Sequence, residues 1–146
     1  MFSGRYEYAI DDKSRVSIPS RFREILAASY DMRLMLTNLE GHIVAYPYKE
    51  WEQVQERISN NPSPTLEHRK FQRFFFSAVS ECSIDKLGRI HIPQPLKSYA
   101  GIKKDVTIAG MFRKIEIWAR DKFDEQMEEV ASNPEKMSQI ISDYIL

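Results

Sequence analysis

The stretch Ile10–Pro19, which reads Ile-Asp-Asp-Lys-Ser-Arg-Val-Ser-Ile-Pro, returns 74 residues later as Ile84–Pro93, which reads Ile-Asp-Lys-Leu-Gly-Arg-Ile-His-Ile-Pro. Five of the ten positions carry the same residue in both copies, and a sixth pairs Val16 with Ile90, another β-branched residue. Internal repetition of this kind fixes the architecture of a chain. We therefore predict two related structural units, each organised around one copy.

Each copy predicts a turn that leads into a short strand. Asp11 and Asp85 stand at the head of the turn, where a carboxylate accepts hydrogen bonds from backbone amides two residues on. Gly88 supplies the freedom to take positive φ in the second turn, whereas Ser14 at the same place in the first turn adopts it less readily. After each turn, apolar and polar residues alternate with the period of two that is typical of a half-buried strand.

Proline ends both predicted strands, because it has no amide hydrogen to donate to a ladder. These prolines are Pro19 and Pro93. The fixed φ of Pro19 also suits the opening of a helix, and residues 22–26 follow it with apolar side chains at helical spacing. In the second copy we predict that the corresponding helix starts at Pro95.

The similarity continues in the second half of each repeat. Short apolar runs at 34–36 and 43–46 have counterparts at 106–108 and 115–118, now at an offset of 72 residues. We therefore predict that each repeat contains the series strand, turn, strand and helix two times in succession. Outside the repeated stretch, the predicted elements are a strand at 3–9, two strands within 33–46, a helix at 49–59, a strand at 79–84 and a helix at 122–130.

These patterns divide the chain into four predicted segments. They are a first repeat at 5–52, a helical connection at 53–78, a second repeat at 81–124 and an acidic C-terminal helix or tail at 125–146. Asn60–Pro64 is the clearest break in the chain, and Thr65 after it is a suitable N-cap for a helix. The apolar positions on that helix are Leu66, Phe71, Phe74, Phe75 and Ala78, and the basic ones are Arg69, Lys70 and Arg73.

For the tail beyond Pro134 the sequence leaves two alternatives, a short terminal helix or a frayed segment, and its apolar spacing favours packing on the rest of the chain. Its apolar side chains, with those of the preceding helix, recur at roughly helical intervals at Met127, Val130, Met137, Ile140, Ile141 and Ile145. Periodic apolar positions of this kind indicate one buried helical face.

Composition excludes several classes of protein. The chain has 146 residues and 42% apolar content, and its mean hydropathy of −0.47 is that of a globular protein. It has no apolar run of about 18 residues, which a membrane-spanning helix needs, and residues 1–6 lack the apolar stretch of a signal peptide. The single cysteine, Cys82, cannot form an internal disulfide and is interpreted as a small core hydrophobe. We expect a cytoplasmic protein.

The charge is unevenly distributed although the net charge is zero. Residues 1–120 hold 19 basic and 14 acidic residues, whereas residues 121–146 hold two basic and seven acidic residues. A basic body with an acidic tail is compatible with a polyanionic partner. Acidic terminal helices are also often only solvated, so the charge alone does not decide the function.

Catalytic and metal-binding motifs do not stand out. His42, His68 and His91 are far apart in sequence and lack the spacing of metal ligands. The sequence has no glycine-rich phosphate loop and no nucleophile elbow. We therefore predict no enzyme, no metal, no cofactor and no small-molecule substrate.

The pairs Asp11/Arg15 and Asp85/Arg89 admit two interpretations. In one, each is a local ion pair that fixes the turn, although an exposed pair contributes only about 0–1 kcal/mol. In the other, which we favour, the aspartate holds the turn and the arginine contacts DNA, because its planar fork matches phosphates and base edges. Neighbouring lysines in both turns would add phosphate contacts; they are Lys13 and Lys86. The basic side chains at 69, 70 and 73 have two interpretations: a solvated helix face, which is the commoner case, or a further contact with DNA.

A doubled Asp-x-x-x-Arg turn followed by a short strand and proline resembles the MraZ family. Further agreement comes from the opening Met1-Phe2-x-Gly4, Ser80–Cys82, and Gly110-x-Phe112 leading to Ile115–Trp118. The resemblance implies an α+β fold of tandem AbrB-like swapped-hairpin, double-psi-like β modules with flanking helices in a pseudo-twofold protomer.

The resemblance also implies a function. The expected protein is a nucleoid-associated bacterial regulator that binds tandem repeats in double-stranded DNA upstream of the division and cell-wall gene cluster, including its own promoter. It implies a ring-shaped homo-oligomer and DNA contacts at Lys13, Arg15, Lys86 and Arg89. The sequence departs from the family pattern at Ser3, Ser14 and Met111, where arginine, glycine and glutamine are common.

Two other functions stay open at this point. AbrB-like folds also serve as protein-interaction modules of the antitoxin kind, and an oligomeric scaffold could bind DNA only incidentally. An antitoxin should carry a disordered segment that wraps its toxin, whereas the periodic tail of this chain predicts packing.

Overall fold

The computed structural model describes residues 1–61 and 65–144. Within these residues the chain forms the predicted order of strands and helices. The strands are β1 (Arg5–Ala9), β2 (Arg15–Ser17), β3 (Arg33–Leu39), β4 (His42–Pro47), β5 (Ser80–Ser83), β6 (Arg89–His91), β7 (Asp105–Met111) and β8 (Lys114–Ala119). The helices are α1 (Ser20–Ser29), α2 (Tyr48–Ser59), α3 (Leu66–Ser77), α4 (Gln94–Ala100), α5 (Arg120–Ala131) and α6 (Pro134–Tyr144).

The two repeats exchange strands. A six-stranded antiparallel sheet has the order β1-β7-β8-β4-β3-β5, and β2 pairs with β6 in a separate two-stranded ribbon. The counterparts in the two repeats are β1 and β5, β3 and β7, and β4 and β8. Exchanging each strand with its counterpart gives the same order read from the other end, so the protomer has pseudo-twofold symmetry. The first strand of each repeat pairs with the third strand of the other, β1 with β7 and β5 with β3. The predicted α+β fold of two intertwined repeats is confirmed.

One hydrophobic core is shared by both repeats. The ribbon contributes Val16 and Ile90, each 1% exposed. Just beyond the ends of its two strands, Ile18 and Ile92 are buried in the same core. Helices α1 and α4 pack on it through Phe22, Leu26, Leu96 and Ala100. Burying a Leu, Ile or Phe side chain contributes about 1.5–3 kcal/mol, and a unit as short as one repeat can bury few of them. The shared core is therefore what stabilises both repeats.

Most predicted elements are observed within a few residues of their expected bounds. Pro19 and Pro93 are the N-cap residues of α1 and α4, so each ends a strand and precedes a helix. Helix α4 begins at Gln94, one residue before the predicted start. Thr65 caps α3 as predicted, since its hydroxyl accepts the amide hydrogen of His68 at 3.2 Å. Residues 62–64 of the predicted break lie outside the described residues.

The prediction that the tail packs on the rest of the chain was wrong for the single chain. Helix α6 forms, but none of its described side chains is buried. Only two residues, 132 and 133, separate α5 from α6, whereas six separate α2 from α3. The longer connection lets α3 return to the sheet and bury Phe75, while α6 contacts its neighbour α5. Ile145 lies outside the described residues.

Cys82 is a small core residue, as predicted. It is buried in β5, with its Sγ 3.5 Å from the carbonyl oxygen of His91. Burial raises the pKa of the Cys82 thiol to about 11, and the charge of Glu81 adds to the effect. The thiol therefore stays protonated and unreactive at neutral pH.

Candidate nucleic-acid interface

Both arginines of the repeated motif lie on the same face of the β2–β6 ribbon. In its register Arg15 faces His91, Val16 faces Ile90 and Ser17 faces Arg89. Residues directly opposite in an antiparallel pair share a face, and successive residues alternate between faces. Because Val16 and Ile90 point into the core, Arg15 and Arg89 are on the outward face, together with the exposed His91.

The first turn is organised by the Asp11 carboxylate. Its Oδ1 accepts hydrogen bonds from the amides of Lys13 at 3.0 Å and Arg15 at 2.8 Å, and its Oδ2 accepts from Arg15 Nε at 2.7 Å. The backbone closes the same turn through Asp11 N to Arg15 O at 2.9 Å and Ser14 N to Asp11 O at 3.0 Å. One side chain therefore fixes the turn and orients the guanidinium.

The second turn repeats this geometry. Asp85 Oδ1 accepts from the amides of Leu87 and Arg89, both at 2.9 Å, and Oδ2 accepts from Arg89 Nε at 3.1 Å. Asp85 therefore accepts the same set of hydrogen bonds in the second turn as Asp11 accepts in the first. Each arginine pairs through Nε, which leaves its two terminal nitrogens outside the bond to the aspartate. The side chains of Lys13 and Lys86 are exposed beside these turns.

The same contacts lower the pKa of both aspartates. The pKa of Asp11 is lowered from 3.8, first by the hydrogen bond from the Arg15 amide, and then by the Arg15 guanidinium and the Lys13 amide. The pKa of Asp85 is lowered by the corresponding contacts with Arg89 and Leu87. Both carboxylates are therefore ionised throughout the neutral range, and each keeps its arginine in place.

We expect Asp85→Ala to lower the melting temperature, because two turn amides would lose their acceptor. Asp85→Asn should lose less, since its side-chain oxygen still accepts. A folded-state pKa below 3.8 means that the charged contribution is present above that pH and is lost as the pH falls further. The difference between wild type and Asp85→Asn should thus be constant from pH 5 to 7 and shrink below 3.8. Exposed Asp12→Ala is the control, and an equal effect of that variant contradicts the turn role.

Ser14 adopts the positive φ that its residue type disfavours. Its φ is +60°, close to the +79° of Gly88 at the equivalent position. The hydroxyl of Ser14 accepts a hydrogen bond from Lys97 Nζ at 3.2 Å. Both turns therefore have positive φ at this position, and the contact with Lys97 uses a hydroxyl that glycine lacks.

Sequence reasoning missed Arg23 and Lys97, which link each repeat to the turn of the other. Lys97 on α4 contacts Ser14 in the first turn. Arg23 on α1 covers Gly88 in the second turn, where a Cβ would lie 2.7 Å from Arg23 Cζ, and Arg23 Nε donates to Ile18 O at 3.1 Å. The signal was present in the sequence, since both basic residues stand at the same 74-residue offset as the motif.

Gly88→Ala should destabilise the protein by about 1–2 kcal/mol, because an L-residue with a side chain resists the left-handed region and the new Cβ displaces Arg23. Urea denaturation measures the loss. Ser14→Ala is the matched control, since a Cβ is already accommodated there and only the contact with Lys97 is removed. Equal stability of Gly88→Ala and wild type would show that neither the backbone strain nor the packing of Arg23 matters.

The other candidate positions lie apart from the ribbon. Helix α3, which carries Arg69, Lys70 and Arg73, packs on β3, where Thr37 Oγ1 donates to Phe75 O at 2.5 Å. His42 is buried and stacks on Trp118 with ring centroids 4.4 Å apart, and its Nε2 lies 3.1 Å from Glu116 Oε2. Among residues 1–61 and 65–144, no three His, Cys, Asp or Glu side chains are grouped to hold a metal ion. No described helix is long and apolar enough to cross a bilayer.

The class of protein follows from the fold and the doubled turn. Two intertwined repeats that share one ribbon, with a matched basic turn at each end, define a tandem swapped-hairpin protein. The sequence model of the MraZ family, described as "MraZ protein, putative antitoxin-like", matches residues 1–74 and 75–140. The chain belongs to the MraZ family.

Named relatives are similar along the whole chain. The protein called transcriptional regulator MraZ in Heliobacterium modesticaldum is 37% identical over 146 residues, which is 100% of both chains. The protein of the same name in Clostridium tetani is 40% identical over 146 residues, covering 96% of this chain and 99% of the relative. That of Natranaerobius thermophilus is 36% identical over 144 residues, covering 99% of both.

Proposed function

We propose that this protein is a sequence-specific DNA-binding transcriptional regulator that reads DNA with the two turns of the β2–β6 ribbon. The observation that carries the proposal is the outward pair of arginines, each held by an aspartate at the head of its turn. A stable turn does not by itself require an arginine in both copies, since an ion pair at the surface contributes little to the free energy of unfolding. The name of the relatives, transcriptional regulator MraZ, supports the same function.

The ribbon has dimensions that suit duplex DNA. The major groove is about 12 Å wide and admits a two-stranded β-ribbon. Arg15 and Arg89 are diagonal neighbours across the strand pair, which places their Cα atoms about 7–8 Å apart. Their guanidinium groups can meet base edges or phosphates, and the exposed lysines Lys13 and Lys86 supply further phosphate contacts. Such contacts neutralise phosphates and release counterions.

The finer part of the proposal follows from the family resemblance. The target is a set of short tandem repeats upstream of the division and cell-wall gene cluster, including the promoter of the protein's own gene, and we expect repression. The protein acts on the nucleoid as a homo-oligomeric ring. Two small motifs per chain give weak binding at physiological salt, and linked copies on repeated sites raise the affinity through effective concentration.

An antitoxin-like interaction module is the second candidate, favoured by the description of the family.

The DNA-binding proposal is tested by a gel shift with the DNA upstream of the protein's own gene and with a scrambled copy. A regulator should bind the natural repeats at least about 10³-fold more tightly, the lower end for specific recognition. Equal affinity for both DNAs, with the same dependence on salt, would indicate incidental electrostatic binding and overturn the proposal.

A further inference from the structure

A cleft of about 430 Å³ lies between helix α2 and the turn that joins β7 to β8. Tyr46 on its wall belongs to a separate hydrophobic cluster, whereas its strand neighbour Ala45 belongs to the core that holds the ribbon. Because successive residues of a strand face opposite sides of a sheet, the cleft and the ribbon lie on opposite sides of the six-stranded sheet. We call it the α2 cleft; the side chains that matter are Glu50, Gln53, Arg57, Phe112, Arg113 and Lys114.

The α2 cleft is cationic. Three basic side chains line it, and the only carboxylate among its lining residues is that of Glu50. Glu50 is 7% exposed, accepts a hydrogen bond from the Tyr30 hydroxyl and lies 4.0 Å from Arg113 Nε. Glu116, which also attracts Lys114, is itself paired with His42. The buried carboxylate therefore positions one arginine, and the cleft keeps a net positive charge.

The other repeat contains an equivalent cleft with different charge. At the 72-residue offset, the counterparts of the three cations are Glu129, Gly41 and His42. A cleft between α5 and the β3–β4 turn lies at this place, and its lining holds one arginine and two glutamates. Since the same backbone arrangement forms without the three cations, the fold does not require them in the α2 cleft.

Phe112 lines the α2 cleft in an unusual backbone conformation. Its φ is +64°, which bulky residues rarely adopt, and its side chain is 73% exposed. Glu40 at the equivalent position has a φ of +50°, so the turn calls for this conformation but not for an aromatic ring. Backbone strain of this kind is concentrated at ligand sites. An exposed ring beside basic side chains is suited to stacking with a nucleobase.

We propose that the α2 cleft binds a nucleoside phosphate. The three cations match the phosphate oxygens, which the planar fork of arginine meets in pairs. Phe112 stacks on the base, and the amide of Gln53 offers both a donor and an acceptor to its edge. The volume of the cleft falls in the range of small-molecule sites, about 300–1,000 Å³, which a phosphate ion alone does not fill. This site goes beyond the proposed function and does not depend on it.

Isothermal titration calorimetry of the full chain with the four ribonucleoside monophosphates tests the proposal. At least one should bind with one site per chain, and its free nucleoside and inorganic phosphate should each bind at least about 10-fold more weakly. Arg57→Gln should weaken binding about 10- to 100-fold, the range for a lost hydrogen bond to a charged group. Phe112→Gly should weaken it about 10-fold through lost stacking, and should melt no lower than wild type because glycine tolerates positive φ.

Arg21→Gln is the control, since it removes an exposed arginine outside the cleft and should leave nucleotide affinity unchanged. Inorganic phosphate that binds as tightly as the nucleotide would reduce the cleft to a general anion site and overturn the proposal. No binding at millimolar concentration, or binding that survives both cleft variants, would also overturn it.

A 5′-phosphorylated oligonucleotide distinguishes the two sources of the same chemistry. Tighter binding of the monophosphate identifies a free nucleotide as the ligand, whereas tighter binding of the oligonucleotide identifies the end of a strand, provided that Arg57→Gln weakens both. Affinity for duplex promoter DNA is measured separately. A protein that binds nucleotides but not duplex DNA would refute the proposed function alone.

Discussion

Replacing Arg15 and Arg89 together with alanine should lower the affinity for the natural DNA repeats by about 30- to 10⁴-fold. Each arginine is expected to contribute about 1–3 kcal/mol of recognition, and every 1.4 kcal/mol is a factor of ten. The melting temperature should change less than the affinity, because both partly buried side chains stay in contact with solvent, at 31% and 26% exposure, and an ion pair screened by solvent stabilises weakly. Fluorescence anisotropy and thermal melting measure the two effects on the same samples.

Arg21→Ala is the matched control for this pair. Arg21 is an arginine on α1 whose side chain is 72% exposed and lies outside the ribbon. Its loss should lower DNA affinity by no more than the general effect of one charge. If the double variant instead melts many degrees lower while each folded molecule binds DNA normally, the arginines serve the turns alone.

The salt dependence of Arg15→Ala separates phosphate contact from base contact. Loss of one phosphate contact should flatten the log–log salt slope by about 0.9. Loss of a base contact should leave the slope unchanged and weaken discrimination against a mutated site.

Inserting five base pairs between two tandem sites should lower the affinity by about 10²-fold or more. The outward face of one ribbon carries both arginines, so linked copies read sites on one side of the duplex. Such sites recur every 10–10.5 base pairs, and five extra base pairs turn one site to the far side. The gain from linkage, about 10²–10⁴-fold, is then lost unless protein or DNA deforms.

Inserting ten base pairs is the control. It returns both sites to the same side of the duplex, so much of the affinity should be restored. Gel shifts with the natural spacing and with insertions of five and ten base pairs measure whether the two sites are bound together. Affinity that does not respond to five base pairs would mean that the sites are bound independently, and the linked-ring mechanism would be wrong.

The turns were predictable because their chemistry is local. An aspartate four residues before an arginine needs no distant partner to define the hydrogen bonds that are observed at Asp11 and Asp85. The choice of strand partners was not predictable in this way. A period of two shows that β1 has one buried face, but it does not reveal that β1 pairs with β7 about 100 residues later. That pairing follows from a core that spans both repeats.

Two features of the molecule did not follow from the sequence pattern. The contacts of Arg23 and Lys97 cross from one repeat to the turn of the other, so they follow from the exchange of strands rather than from either motif. The position of α6 beside α5, rather than on the sheet, follows from the short connection between these two helices. Its apolar spacing matches that of a packing helix, yet two connecting residues leave it beside α5.

The ribbon takes one strand from each repeat, and this constrains how the protein is made. The hydrogen bonds from Ile18 N to Gly88 O and from Ile92 N to Ser14 O, both 2.8 Å, join residues that are 70 and 78 positions apart in the sequence. A ribosome that has released only the first repeat has therefore made one turn and no ribbon. Contacts of such long range form slowly, so a ribbon with both turns in place has to await completion of the second repeat.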